Sequence, residues 1–330
     1  MSRGKVDVSV IIPVFNAEKT LPILIEKLLM EKSVNFEVII IDDGSTDNTN
    51  AYLKSITDDR VIFIEQQNKG VYAARNLALD IHHGRWVTFI DADDVVGNNF
   101  ICERYVISEK ANSDVVIFNG NRSNNSEVNI ARPIHKKQSY DKKQTGHQWI
   151  DSCVRNKEWP HYLWLQMIKS DYIKKNALSF MPGYSHKDIT WTVDLALKNG
   201  YFYISSHCDY WYIMNVASIT KRSDYFDKRA QNYIEVISYI ISCAKNQQSE
   251  KLKSRLLCHA LFETRHFLGL LRKKVVNVNL ICTEFNRSIE LKCLFKGIRN
   301  LSDLLFFLKL VSKTAKLGLP SNNNVSQIKK

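Results

Sequence analysis

No stretch of about 18 or more uncharged apolar residues occurs in this 330-residue chain, so no membrane-crossing helix is expected. Met1 to Asp7 lacks the apolar core that a signal peptide needs. There is no Cys-x-x-Cys, and the seven cysteines are odd in number, which argues against a disulfide framework and against a zinc site. A reducing cytoplasm is the expected compartment. No Gly-x-Gly-x-x-Gly follows the first apolar run and no Gly-x-x-x-x-Gly-Lys-[Ser/Thr] occurs, which disfavours a dinucleotide site of the usual kind and a P-loop. Acid is scarce in one region only. Residues 1–215 hold 25 Lys and Arg against 26 Asp and Glu, whereas residues 216–330 hold 21 against 8. The excess base of the last third suggests an anionic partner, either membrane surface or nucleic acid.

What is present is an alternation. Residues 8–14, 36–41, 61–64, 86–90 and 115–118 are short β-rich apolar runs and read as strands. Helical patterns lie between them. Leu21, Leu24, Ile25, Leu28 and Leu29 share one face, Ser45 or Thr46 can cap a helix running to about Ile56, and a third helix covers about 71–81. Strands apolar on both faces, alternating with helices, predict an α/β fold with a mostly parallel sheet covered on both sides. Ligands of such sheets sit at the carboxyl ends of the strands. Here those ends carry Phe15-Asn16, Asp42-Asp43 and Asp91-Ala92-Asp93. With Asp94, the last of these puts three carboxylates into four residues. Such crowding costs free energy unless a cation neutralises it, and oxygen ligands shared with phosphates select Mg²⁺ or Mn²⁺. A turn of solvated aspartates is the other reading.

Five motifs in order then resemble the nucleotide-sugar half of the family-two glycosyltransferases, which have the GT-A fold. They are Val10-Ile11-Ile12-Pro13-Val14-Phe15-Asn16, Ile41-Asp42-Asp43-Gly44-Ser45-Thr46-Asp47-Asn48-Thr49, Asn68-Lys69-Gly70, Ala74-Arg75-Asn76 and Phe89-Ile90-Asp91-Ala92-Asp93-Asp94. The resemblance implies a Rossmann-like nucleotide-sugar-binding sheet with a C-terminal helical extension. It implies that Pro13 and Phe15 border a uridine, that Asp43 pairs with the uracil, and that Glu18, Arg75 and Asn76 lie at the donor. Asp91 would reach the ribose or donor sugar, and Asp93 would bind Mn²⁺ or Mg²⁺. For Arg75 a helix-surface ion pair is the alternative.

The second half is read in the same way. Residues 121–150 are polar and basic and read as a flexible excursion over the site mouth. The aromatics from Trp159 to Trp164 either fill core or stack on sugar rings. Ser185-His186-Lys187-Asp188 opens a helix to Lys198. The family usually has Glu-Asp here, with the Asp as catalytic base; this chain has Lys187 in place of the Glu and keeps Asp188. Ser185 and Asp188 also have the spacing of a capping box. Tyr210-Trp211-Tyr212 and Ser218-Ile219-Thr220 resemble the segment that closes the catalytic domain of bacterial lipopolysaccharide core and O-antigen transferases.

The expected domains are 1–222, catalytic, with a donor half to about 120 and an acceptor half after it, and 223–330, basic and helical with a disordered tail from Pro320. His259 and His266 read as structural. Leu301, Leu304, Leu305, Leu308, Val311 and Ala315 form a helical stripe, with Lys309, Lys313 and Lys316 beside it.

The expected function is therefore an inverting glycosyltransferase. It would use a nucleotide-sugar donor, a glycan or lipid-linked glycan acceptor and an anionic membrane surface, peripherally on the inner face of the cell membrane. A nucleotide-sugar-binding protein without turnover is the alternative, and a nucleic-acid partner is not expected.

Overall fold

The computed structural model describes residues 5–123, 132–213 and 224–317. They fall into two compact units, one of Met1–Gly183 with Lys187–Val216, the other of Tyr184–His186 with Ala217–Lys330. The first unit runs β1 (Val8–Val14), α1 (Leu21–Leu29), β2 (Phe36–Asp42), α2 (Thr49–Ser55), β3 (Val61–Glu65), α3 (Val71–Ile81), β4 (Trp86–Phe89) and β5 (Val95–Val96). It continues with α4 (Phe100–Ala111), β6 (Val115–Ser123), β7 (Lys142–Thr145), α5 (Gly146–Asn156), β8 (Gln166–Lys169), α6 (Ser170–Lys175), α7 (Lys187–Leu197) and β9 (Tyr201–Ile213).

Among the described residues these strands form one nine-stranded sheet, in the order β3-β2-β1-β4-β8-β6-β9-β5, with β7 paired to β9. The leading block β3-β2-β1-β4 is parallel throughout. Beyond it β8 runs antiparallel to both β4 and β6, while β6 and β9 are parallel. Consecutive residues Val8, Ser9, Val10, Ile11 and Ile12 are all buried, so both faces of β1 are covered. Register then decides where the loops emerge. Val14 pairs with Asp42, Asp42 with Glu65, and Ile11 with Phe89, after which Ile90 N–H donates to Ile11 C=O. The loops after β1, β2 and β4 therefore leave the same edge.

A buried ion pair ties the later strands to this block. Arg104 of α4 donates from Nε and Nη2 to the two Asp209 oxygens at 2.7 and 2.6 Å, and from Nη1 to Trp164 C=O. Both partners are almost fully buried, and the fork geometry of Arg suits such a pair.

Three local expectations change. The second helix starts at Thr49 with Asn48 at its cap position; Ser45 and Thr46 turn to Asn16, which donates its N–H to Ser45 Oγ and accepts Thr46 N–H on Oδ1. The capping box stands at Thr145–Gln148, opening α5. At α7 the helix begins at Lys187, after His186 in a left-handed conformation (φ 61°), so Ser185 is not at the cap position. Residues 132–150 are not an unstructured excursion. Asn121 bridges to Pro133, Gln138 is buried, and β7 and α5 follow. Residues 124–131 and 218–220, and the tail from Pro320, lie outside the described residues.

The second unit contains α8 (Tyr225–Lys245), α9 (Glu250–Lys273), α10 (Val278–Ser288), α11 (Leu291–Lys296) and α12 (Leu301–Leu317). Buried Asp227 accepts from the N–H groups of Val276 and Asn277, tying α8 to the turn after α9. His259 bonds Glu263 one helical turn on, both almost fully buried, whereas His266 is exposed and stacks on Tyr233.

Candidate active site

The turn after β2 is built around two aspartates. Asp42 accepts from Ser45 N–H and Oγ, and Gly44 takes a positive φ of 80° that only glycine adopts freely. Asp43, 5% exposed, reaches the Asn68-Lys69-Gly70 turn. Its Oδ1 accepts from Gln66 Nε2 and Lys69 N–H, and its Oδ2 from Gly70 N–H. Three of about four lone-pair positions are thereby filled, leaving one for a ligand N–H. Phe15 holds a half-exposed ring just past β1, next to part-buried Pro13. Glu18 accepts from Asn48 N–H and Nδ2 at 3.1 Å, joining the first loop to the second.

Helix α3 connects these turns to the aspartates after β4. Arg75 is buried rather than on a helix surface, and its Nη2 donates to Asp91 Oδ1 at 2.8 Å. Asn76 is occupied structurally. Its Nδ2 donates to Phe180 C=O and its Oδ1 accepts Phe180 N–H, so it faces the backbone of that segment. Asp91, Asp93 and Asp94 point three ways. Asp91 meets Arg75, Asp93 is exposed, and Asp94 is buried, accepting from Tyr210 Oη at 2.7 Å and Ile213 N–H at 2.9 Å. Tyr210 Oη in turn accepts Asp91 N–H, and its ring stacks on Trp164 at 4.3 Å. Burial, and then the charges of Asp91 and Asp93, raise the proton affinity of Asp94.

Asp188 sits in the first turn of α7 with its side chain 22% exposed. Burial raises its pKa. The positive charges of His161 and Arg75 oppose that rise, and Asp91 adds to it. His161 Nε2 lies 3.8 Å from Asp188 Oδ2. The start of α7 is held by Tyr72, whose buried phenol accepts Lys187 N–H at 3.0 Å. Lys187 itself is buried, 1% exposed. His186 turns to the helical unit, where its Nε2 accepts from Arg229 Nε and its ring meets Tyr233.

Arg75 thus pairs with Asp91 and acts through its charge on Asp188. Among the described residues two buried nitrogens of this site, Arg75 Nε and His161 Nδ1, have no hydrogen-bond partner, which favours a polar ligand nearby. Tyr72, His161 and Tyr210 are the residues that sequence reasoning did not place in the site. Tyr72 had a signal, because it lies three before Arg75 and shares its helix face. His161 lies inside the aromatic stretch, most of which is core: Trp159, Leu163 and Trp164 are buried.

Among the described residues no group of three or more His, Cys, Asp or Glu is arranged to hold a metal ion. Exposed Asp93 still fits a magnesium-type ion, which takes one or two carboxylates and completes its shell with substrate phosphates and water.

The chain is similar to known proteins in sequence and in fold. Residues 9–159 match the family model described as Glycosyl transferase family 2. The uncharacterised glycosyltransferase YibD of Escherichia coli K12 is 27% identical over 245 residues, 72% of this chain and 71% of YibD. The E. coli UDP-Glc:alpha-D-GlcNAc-diphosphoundecaprenol beta-1,3-glucosyltransferase WfaP is 42% identical over 88 residues, 26% of this chain; the chain spans 35% of WfaP. In fold, TarS residues 1–349 from S. aureus, solved in complex with UDP-GlcNAc, superimposes with a TM-score of 0.69 at 19% identity, covering 94% of this chain and 89% of TarS 1–349. The α/β architecture is thus GT-A-like, and residues 9–159 carry the likeness to the family 2 glycosyltransferases.

Proposed function

We propose that the protein is an inverting transferase moving a sugar from a nucleoside diphosphate donor to a cell-surface polysaccharide or lipopolysaccharide acceptor. The observation that carries this is Asp188 at 3.8 Å from His161 and in the field of Arg75, which is itself paired to Asp91. One carboxylate would take a proton while its neighbour marks the donor side. The acceptor hydroxyl gives its proton to Asp188, and its oxygen bonds to the sugar C1. The bond from C1 to the diphosphate oxygen breaks with its electron pair leaving on the diphosphate, and C1 inverts. Burial makes Asp188 a stronger base than a solvated carboxylate.

On the donor side Phe15 and Pro13 would flank the base, the free lone pair of Asp43 would meet its N–H, and Glu18 and Asn76 would hold the surrounding loops. A divalent ion at Asp93 would supply charge neutralisation for the leaving diphosphate. UDP is the proposed nucleotide, because WfaP is named for UDP-Glc and TarS 1–349 was solved with UDP-GlcNAc. The acceptor of WfaP, carried on diphosphoundecaprenol, supports a lipid-linked glycan here and hence work at the inner face of the membrane. Residues 1–222 would carry catalysis, donor half before acceptor half.

Release of nucleoside diphosphate from a panel of nucleotide sugars tests the reading. Turnover of one UDP-sugar supports it. Binding of a UDP-sugar with no turnover in the presence of lipid-linked acceptors would favour the alternative, a nucleotide-sugar-binding protein, for which Lys187 in the place of the usual Glu is the motive.

A further inference from the structure

We infer that the outward face of α12 is a docking surface for an anionic lipid bilayer, on which the helix lies in the plane of the headgroups. The inference goes beyond the catalytic reading and needs none of its residues.

The helix has two apolar faces, and packing accounts for only one. Phe307, Leu310 and Thr314 are buried at 9%, 0% and 1% exposure. Leu301, Leu305 and Leu308 are 70%, 60% and 55% exposed, and their spacing of four and three residues puts them on one opposite face. Exposed Ser312 and Ala315 continue that row toward the C-terminal end. A helix that merely covers a core presents polar residues outward. Here the large outward residues are leucines, and Phe295 of α11, also exposed, touches Phe307 of this helix.

The charges beside the leucines are of one sign. Lys309 and Lys316 are exposed on the same side, and Lys296 is exposed next to Phe295. Asp303, the acid of α12, lies on the packed face and accepts from Arg265 Nη2 at 2.8 Å. A second copy of this face would set lysine against lysine around the leucines. Anionic headgroups would neutralise the same lysines while the acyl boundary takes the leucines. The helix has 17 residues and no helix of the described residues is long and apolar enough to cross a membrane, so an in-plane arrangement is the one that fits.

The test is co-sedimentation of the full chain with vesicles of phosphatidylcholine alone and of phosphatidylcholine with phosphatidylglycerol. The expected result is binding to the anionic vesicles only, weakened as salt is raised. Each lysine near such a surface is worth about fivefold in partition, so Lys309→Glu with Lys316→Glu should weaken binding at least about tenfold. Leu305→Gln with Leu308→Gln should weaken it similarly, with an unchanged far-ultraviolet dichroism spectrum and unfolding midpoint. Both variants should keep the wild-type rate of nucleoside diphosphate release from a donor with a water-soluble acceptor, which separates failure here from failure of the transferase reading. Equal binding to neutral and anionic vesicles, or binding to neither, overturns the inference. So does anionic binding that both variants retain. Concentration-dependent dimerisation abolished by the leucine variant, without vesicle binding, overturns it in favour of a second copy.

Discussion

Arg75 Nη2 donates to Asp91 Oδ1 at 2.8 Å, from a guanidinium that is itself buried. The pair joins the helix after the third strand to the loop after the fourth, and the same cation lies near enough to Asp188 to oppose its protonation. Arg75→Lys keeps the charge but loses the planar fork. Expected is a rise in donor KM of about tenfold, the worth of one charge-assisted hydrogen bond, with a smaller change in kcat. Steady-state kinetics of donor turnover check it, and an unchanged KM would place Asp91 away from the donor.

Tyr210 serves the same loop from the other side. Tyr210→Phe removes the donor to buried Asp94 and the acceptor of Asp91 N–H. A buried carboxylate short of a donor costs about 1–3 kcal/mol. The variant should unfold at correspondingly lower urea, with a weaker donor affinity by calorimetry; wild-type values for both would mean that the loop is held elsewhere.

Asp188 should govern the acidic limb of the pH–rate profile. Its folded pKa is raised, chiefly by burial, so activity rises with pH through a value above the ordinary 3.8. His161 opposes that rise. His161→Asn removes the opposing charge and should move the limb to higher pH, most clearly in kcat/KM. A limb that stays in place, or moves to lower pH, contradicts the role given to His161.

Lys187→Ala separates a structural lysine from a catalytic one. The side chain is almost wholly buried, so the cavity left by its stem should cost about 2–4 kcal/mol. Activity below the unfolding transition should largely survive. A fall in kcat of a hundredfold with an unchanged unfolding midpoint would make Lys187 part of the chemistry.

The parallel block was legible because its central strands are continuous apolar runs, and a strand buried on both faces leaves that mark. The second part of the sheet was not. β7 reads Lys-Lys-Gln-Thr and β8 Gln-Met-Ile-Lys, and neither has the composition of a strand. They pair because neighbours already in place offer an open edge, a tertiary cause that no short window contains. In the site, the carboxylates of Asp91 and Asp188 stood in recognisable motifs. Tyr72 and His161 did not, and Tyr210 stood only in the segment expected to close the domain, since each acts through a contact more than 20 residues away in sequence. The α12 stripe was visible as periodicity, but only the structure shows that most of it faces away from the core.

The most direct test of the account is the turnover of Asp188→Asn, measured with the UDP-sugar that the donor panel identifies. The amide keeps the shape and removes the base. The account predicts a fall in kcat of about two to four orders of magnitude, with donor affinity by calorimetry within about twofold of wild type. Turnover at the wild-type rate would contradict it and send the search for the base elsewhere.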